Sequence, residues 1–403
     1  MAVKILNQTV RAAKPVVPQV VAGLFAGIGG IELGLAKSGH TTRLLVENNA
    51  HAQSVLKKHF SDVAIHDDVT TLRSLPADVT LLTAGFPCQD LSQAGMVRGI
   101  EGQQSGLVEH VFRLLRRKRV PNVLIENVPF MLRLQRGQAL AYLTRELESL
   151  GYAWAYRIVD TRSFGLPQRR QRVFIFASTQ HDPRAVLFAD DTDPEMEPSA
   201  KGIATQGIDA LAGGFYWTEG TRGVGFVSEA IPPLKGGSTI GIPSPPAMWV
   251  GGGLYLPDIR DAERLQGFPP DWTLVATDDA SRRNRWKLVG NAVSVPVATW
   301  FGNRLRNPGL CVAATRGRVP RKGPWPTAAW NVGSGAFGAA ASQWPQGRNW
   351  APLTSFLKYP MAPLSPRAAA GFLKRVRASE LAVPELLLED LERSAFGVDA
   401  KRA

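Results

Sequence analysis

The sequence predicts an α/β protein: a parallel sheet with helices on both faces, accompanied by a smaller, loop-rich unit. Three observations carry this. Between about residue 20 and residue 178, short apolar runs alternate with helical patterns, the mark of parallel strands joined by crossover helices. Residues 201–258 then hold 13 Gly and 6 Pro in 58 positions, with almost no helical periodicity. A chain of 403 residues also exceeds one ordinary core, so two or three domains are expected.

The strands are expected at Val20–Phe25, Leu44–Val46, Val79–Leu82, Val123–Ile125 and Val173–Phe176, and the helices at Ile31–Lys37, Ala50–Phe60, Leu107–Leu115 and Ala139–Leu150. Regular structure resumes after the Gly-rich stretch with IRDAERLQGF and then LVGNAVSVPVATWFGNRL, read as a buried strand or loop entering a helix. The expected division is 1–178, completed by 288–310; then 179–287; then a basic, Trp-containing extension, 311–403.

Composition narrows the class. At 44% hydrophobic and 20% charged residues, the chain is an ordinary globular mix. No apolar run approaches the roughly 20 residues of a membrane span, and the first 21 residues carry no secretory signal pattern. Two cysteines, Cys88 and Cys311, make neither a disulfide framework nor a cysteine zinc site, which points to a reduced compartment. The 47 Lys+Arg against 34 Asp+Glu give a net charge of +13, which favours a polyanionic partner.

Ligands of such sheets sit at the carboxyl ends of the strands, so the chemistry is sought there. The first strand runs into FAGIGG, Phe25 to Gly30. A dinucleotide fingerprint would place a third glycine where Glu32 stands, so the nicotinamide reading weakens. Glu47 ends the second strand, placed to bind ribose hydroxyls, and Asp68 follows the third apolar segment. Together they describe a nucleoside pocket without a pyrophosphate cradle, which suits S-adenosylmethionine better than NAD. The fourth strand ends in GFPCQDLSQAG, where Cys88 follows Pro87, and the glycines of residues 89–106 suit a lid. Most single cysteines are small buried hydrophobes; Cys88 stands apart by its place at a strand end, and Cys311 does not. Glu126 ends the fifth strand, and in QRRQRVF (168–174) Arg170 and Arg172 share strand parity. A Cys, a Glu and an Arg at one end of one sheet form a usable catalytic set.

FAGIGG, GFPCQ, ENV, QRRQRVF, RDAERLQGFP and GNAV together resemble the ordered motif series of the DNA (cytosine-5) methyltransferases of bacterial restriction-modification type. The resemblance covers residues 20–305. It implies a Rossmann-like, S-adenosylmethionine-dependent methyltransferase sheet and a smaller target-recognition domain. It implies Cys88 as the nucleophile on a flipped-out cytosine, Glu126 at the amino edge and N3, Arg172 at O2, and Arg170 as a further catalytic residue. The donor site would be lined by Phe25, Gly27, Gly29, Gly30, Glu47, Asp68, Val69, Pro87, Leu107, Asn291 and Val293, with no metal. Double-stranded DNA is the implied substrate, a cognate restriction endonuclease the implied companion, and a monomer in the bacterial cytoplasm, associated with the nucleoid, the implied state. The chain departs from the family at Gly23, where an acidic residue is frequent, and at Asn48, where an aromatic one is. Gln89 after Cys88 favours DNA over tRNA. A silent DNA-binding homologue and an RNA methyltransferase remain as alternatives, with a nicotinamide dehydrogenase behind them.

Two basic features stay open. Arg282, Arg283, Arg285 and Lys287 either meet phosphates or form a solvated hinge surface. The extension, with 13 basic and 6 acidic residues and Trp325, Trp330, Trp344 and Trp350, either contacts nucleic acid or packs onto the catalytic domain.

Overall fold

The computed structural model describes residues 17–86, 106–192, 212–218, 220, 223–236, 245–276, 283–320, 323–349 and 351–397. The expectations at Pro87, Cys88 and the lid, and at Arg282 and Trp350, lie outside these residues.

The large lobe begins with β1 (Val20–Leu24), α1 (Gly30–Lys37), β2 (Thr41–Val46), α2 (Ala50–His59), β3 (Ala64–His66) and β4 (Leu81–Ala84). It continues through α3 (Leu107–Arg117), β5 (Asn122–Asn127), α4 (Gln138–Ser149), β6 (Ala153–Asp160), β7 (Gln171–Ser178) and α5 (Arg184–Leu187). Strands β3-β2-β1-β4-β5 lie side by side and parallel, and β7 and β6 follow antiparallel to their neighbours. β4 and β5 are buried along their whole length, as strands covered by helices on both faces must be. α3 shows how the helices cover them. Val108, Val111, Phe112, Leu114 and Leu115 face the core, while Arg116 and Arg117 close its last turn, where the helix dipole favours cations.

Two sequence expectations change here. The Val173–Phe176 strand belongs to β7, which is antiparallel; only ten residues join β6 to β7, too few for a crossover helix. β6, absent from the expected set, supplies the hairpin partner.

The small lobe is a five-stranded sheet from β8 (Ala212–Phe215), β9 (Phe226–Ser228), β10 (Ala247–Val250), β11 (Gly253–Leu256) and a later strand. The chain returns through α6 (Ile259–Leu265), α7 (Arg283–Asn291) and α8 (Val295–Arg306). LVGN is therefore the end of a helix rather than a strand or loop. α8 packs on α1 so closely that a Cβ at Gly34 would lie 2.5 Å from that of Ala298.

The extension does not form a third unit. β12 (Thr315–Arg318), β13 (Ala328–Asn331) and β14 (Phe337–Ala339) continue the large sheet beyond β6. After α9 (Leu353–Phe356), β15 (Ala362–Pro363) pairs with β11, and α10 (Pro366–Arg377) and α11 (Glu385–Phe396) pack on the small sheet. Phe372 stacks on Phe215 at 4.3 Å, and Trp249 donates to Asp390 at 2.7 Å. Trp330 and Trp344 are buried, so of the two readings of these tryptophans packing is the one observed.

Candidate active site

The strand ends of β1, β2, β4 and β5 surround a cavity of about 480 Å³. It lies between β1 and β4, where the chain reverses the direction in which it adds strands, the usual ligand crevice of such sheets.

One half of the cavity is acidic and backbone-rich. Phe25 and Gly27 leave β1 with positive φ of 56° each. A Cβ at Gly27 would meet nothing within 4 Å, so this backbone faces open space. Its N–H donates to Glu47 Oε2 at 2.8 Å, and Asn49 N–H donates to Glu47 Oε1 at 2.8 Å. Burial pushes the Glu47 carboxyl above the usual carboxylate range, and these backbone bonds oppose the shift. Asn49 in turn caps α2, accepting from Ala52 N at 3.0 Å, so the glutamate's orientation is locked by the helix start. Asp68 accepts from Thr70 N at 2.8 Å, which holds its carboxyl below the usual range. Arg113 of α3 fixes the same turn, donating to the carbonyls of Val69 at 2.8 Å and Leu72 at 2.9 Å. Leu107 and Asn291 complete this side.

The other half is a buried ion pair. Glu126, at the end of β5, is 8% exposed, and Arg172 Nε of β7 lies 3.1 Å from its Oε1. That contact is not an aligned hydrogen bond: Oε1 is buried and accepts none among the described residues. Burial raises the carboxyl's pKa, with Arg172 and then Arg170 pulling the other way. Burial likewise lowers the pKa of Arg172, which Glu126 opposes. Parallel pairing of β4 with β5 brings Gly85 beside Glu126, where a Cβ would lie 3.5 Å from Oε2. Asn127 Nδ2 donates to the Phe86 carbonyl at 3.0 Å and ties the end of β4, two residues before Cys88, to β5.

Several expected residues stand elsewhere. Gly29, Gly30 and Val293 do not line the cavity. A Cβ at Gly29 would lie 2.4 Å from the Phe60 ring and one at Gly30 would lie 2.3 Å from the Val293 carbonyl, so all three serve close packing. Arg170 reaches the cavity wall, but its guanidinium donates to the carbonyls of Leu234 at 2.8 Å, Ala292 at 2.8 Å and Gly290 at 3.2 Å. A group with both terminal nitrogens engaged with backbone joins the small lobe to α7 rather than holding a substrate oxygen. Arg285 is buried against Glu263 and Asp271, which removes it from the expected phosphate cluster, and Lys287 lines the cavity rim.

The glycine at position 23 also finds its reason. Glu32 folds from α1 over β1, and a Cβ at Gly23 would lie 2.2 Å from its Oε1. Asn127 and Arg113 were not singled out in the sequence; Asn127 sits inside ENV, while nothing marks Arg113 before the strands pair.

A sheet of this strand order, with a carboxylate closing β2 and an acid–cation pair closing β5, defines a Rossmann-like methyltransferase domain. The chain belongs to the C-5 cytosine-specific DNA methylases. That family's model matches residues 20–214. The chain is 48% identical to the type II methyltransferase M2.BsuMI of Bacillus subtilis (strain 168), over 93% of this chain and 97% of that one. It is 29% identical to M.NgoBI of Neisseria gonorrhoeae, over 75% and 96%. The solved Dnmt2 methyltransferase of S. pombe aligns with 71% of this chain and 98% of its own, at 17% identity and a TM-score of 0.48. The protein is thus a bacterial DNA cytosine-5 methyltransferase of restriction-modification type, an enzyme that methylates cytosine within a specific DNA sequence.

Proposed function

We propose that the cavity holds S-adenosylmethionine and that Cys88, Glu126 and Arg172 process the target cytosine beside it. The Glu126–Arg172 pair, buried next to Gly85 three residues before Cys88, carries this reading. The residues fit the donor: the cavity's volume suits a ligand pocket, Glu47 can accept from two ribose hydroxyls, Asp68 can accept from the adenine amino group, and the open backbone at Gly27 admits close approach. Lys287 and Asn291 at the rim suit the donor's amino-acid end.

S-adenosylmethionine, when bound, supplies an electrophilic methyl group. Everything else falls to the chain. The cytosine is taken out of the duplex, since carbon 5 is unreachable within the stack. The Cys88 thiolate bonds to carbon 6 while Glu126 passes its proton to N3, so the ring's electrons move to carbon 5 rather than to a ring anion. Arg172 donates to O2 and stays paired with the resulting carboxylate. Carbon 5 accepts the methyl group, then loses its proton to a base as the carbon–sulfur bond breaks and N3 is deprotonated. A raised pKa suits Glu126 for this task, because the acid must carry a proton near neutrality.

Residues 1–178 with 288–310 then form the catalytic domain and the small lobe reads the target sequence. A restriction endonuclease acting on the same site is the companion such an enzyme protects against, and the enzyme acts as a monomer in the cytoplasm on nucleoid DNA. Expression in a methylation-deficient host followed by bisulfite sequencing tests the reading. One short motif is expected to be methylated, and Cys88→Ala is expected to abolish it. Unchanged methylation by Cys88→Ala would exclude the nucleophile assignment.

A further inference from the structure

The turn that follows Glu126 is built in an unusual way. Pro129–Leu132 and Leu134–Gly137 form two short helical turns between β5 and α4, at the strand ends where the cavity opens. Met131 and Leu132 are buried in the main core, yet Phe130 between them and the strand is 62% exposed. Arg133 and Arg136 are exposed too, and neither makes an ion pair among the described residues. Gln135 and Arg136 adopt left-handed backbone, φ 50° and 56°, followed by Gly137 at 84°. Two consecutive non-glycine residues in that region are costly and persist only where tertiary contacts impose them.

Those contacts come from far along the chain. Trp325 donates through Nε1 to the Gly137 carbonyl at 3.0 Å and through its backbone N–H to the Leu132 carbonyl at 3.2 Å. A Cβ at Gly137 would lie 2.2 Å from the Gly323 carbonyl, so the extension is pressed against the turn. The result is a braced shelf that exposes an aromatic ring and, three and six residues further along, two cations. An exposed aromatic and exposed arginines on one short segment suit a polyanion with stackable faces. The shelf lies beside Val128, which lines the cavity, and packs against β7, which carries Arg172.

We propose that Pro129–Gly137 is a DNA-positioning shelf, with Phe130 lying against the duplex beside the extruded cytosine and Arg133 and Arg136 on the flanking phosphates. This rests on duplex DNA being the substrate. Phe130 acts by placing the target strand rather than by touching the reacting atoms.

The test follows tritiated methyl transfer from S-adenosylmethionine into plasmid DNA from a methylation-deficient host, using the full chain at several salt concentrations. Calorimetry of S-adenosylmethionine binding and thermal melting run alongside. Phe130→Ala is expected to raise KM for DNA about tenfold, with kcat, donor affinity and melting temperature near wild type. Phe130→Trp is expected to restore the KM. Arg133→Gln with Arg136→Gln is expected to flatten the dependence of log KM on log salt by up to about 1.8, roughly 0.9 for each phosphate that is no longer neutralised. An unchanged KM in Phe130→Ala, or an unchanged salt slope in the double variant, overturns the proposal while leaving the function intact. A fall in kcat at constant KM overturns it as well. A wild-type protein that binds the donor but methylates no DNA overturns the functional reading and the shelf with it.

Discussion

Glu32→Gln isolates one buried carboxyl and has a magnitude set by the structure. Glu32 is 1% exposed, and its Oε1 accepts from Thr83 Oγ1 at 3.0 Å across the β1–β4 seam. Burial pushes its pKa up to about 7, against which two hydrogen bonds work. The unfolded chain releases that proton near the ordinary glutamate value of 4.5. Between these two values the folded state binds more protons than the unfolded state, so stability falls as pH rises. The contribution is fully present below about pH 4.5 and is lost by the time pH passes 7. A gap of about 2.5 pH units amounts to about 3 kcal/mol. Glutamine keeps the size of the side chain and cannot ionise, so it removes the pH dependence and adds only a constant offset, because Oε2 has no hydrogen-bond partner for an amide to inherit. The assay is urea unfolding of both proteins from about pH 5 to about pH 8. The variant is expected to gain on wild type by roughly 2 to 3 kcal/mol across that range, most of the full amount, with equal slopes in urea. A wild-type minus variant difference that stays constant over the same range would refute a protonated Glu32 in the native core.

Four further outcomes follow. With its pKa raised by burial, Glu126 stays protonated to higher pH than an ordinary glutamate, so kcat is expected to fall as pH rises through that value. Glu126→Gln should lose that alkaline limb together with roughly 10²–10⁴ of the rate, read from pH profiles of methyl transfer. Arg170→Met strands the three carbonyls of Leu234, Gly290 and Ala292 and is expected to cost roughly 3 kcal/mol or more of stability. Arg172→Met should instead lose turnover with a much smaller change in unfolding midpoint, since Glu126 then stays neutral without its cation. Removing residues 351–403 strips β15, α10 and α11 from the small sheet and uncovers Phe215, Trp249 and Leu254. The truncated chain is expected to lose cooperative folding of the small lobe by calorimetry, rather than merely a salt-sensitive increment of DNA affinity.

That last outcome concerns a segment whose role the sequence left open, between contacting nucleic acid and packing onto the catalytic domain. Its excess of basic residues in 311–403 suggested a nucleic-acid arm, yet charge counts describe a surface and say nothing of what lies beneath it. Phe372, Leu373 and Val376 are spaced for one buried helix face, and only the partner sheet reveals which core they complete. Arg285 and Arg170 are parallel cases: a cation's role depends on which acceptors the fold brings to it.

What the sequence determined by itself was whatever depends on local order along the chain. Alternating apolar runs and helices dictated a sheet with its ligand crevice at the strand ends, and the motifs placed Glu47, Glu126 and Arg172 there. The tertiary structure alone decided what depends on distance between remote segments. Examples are the antiparallel β7, the helix at Leu288–Asn291, the packing roles of Gly29 and Gly30, and the Glu32 carboxyl that lies over Gly23. The physical reason is one of range. Propensity and periodicity act over a few residues, whereas steric exclusion at roughly 2–3 Å and the desolvation of a buried charge depend on neighbours that no local window contains.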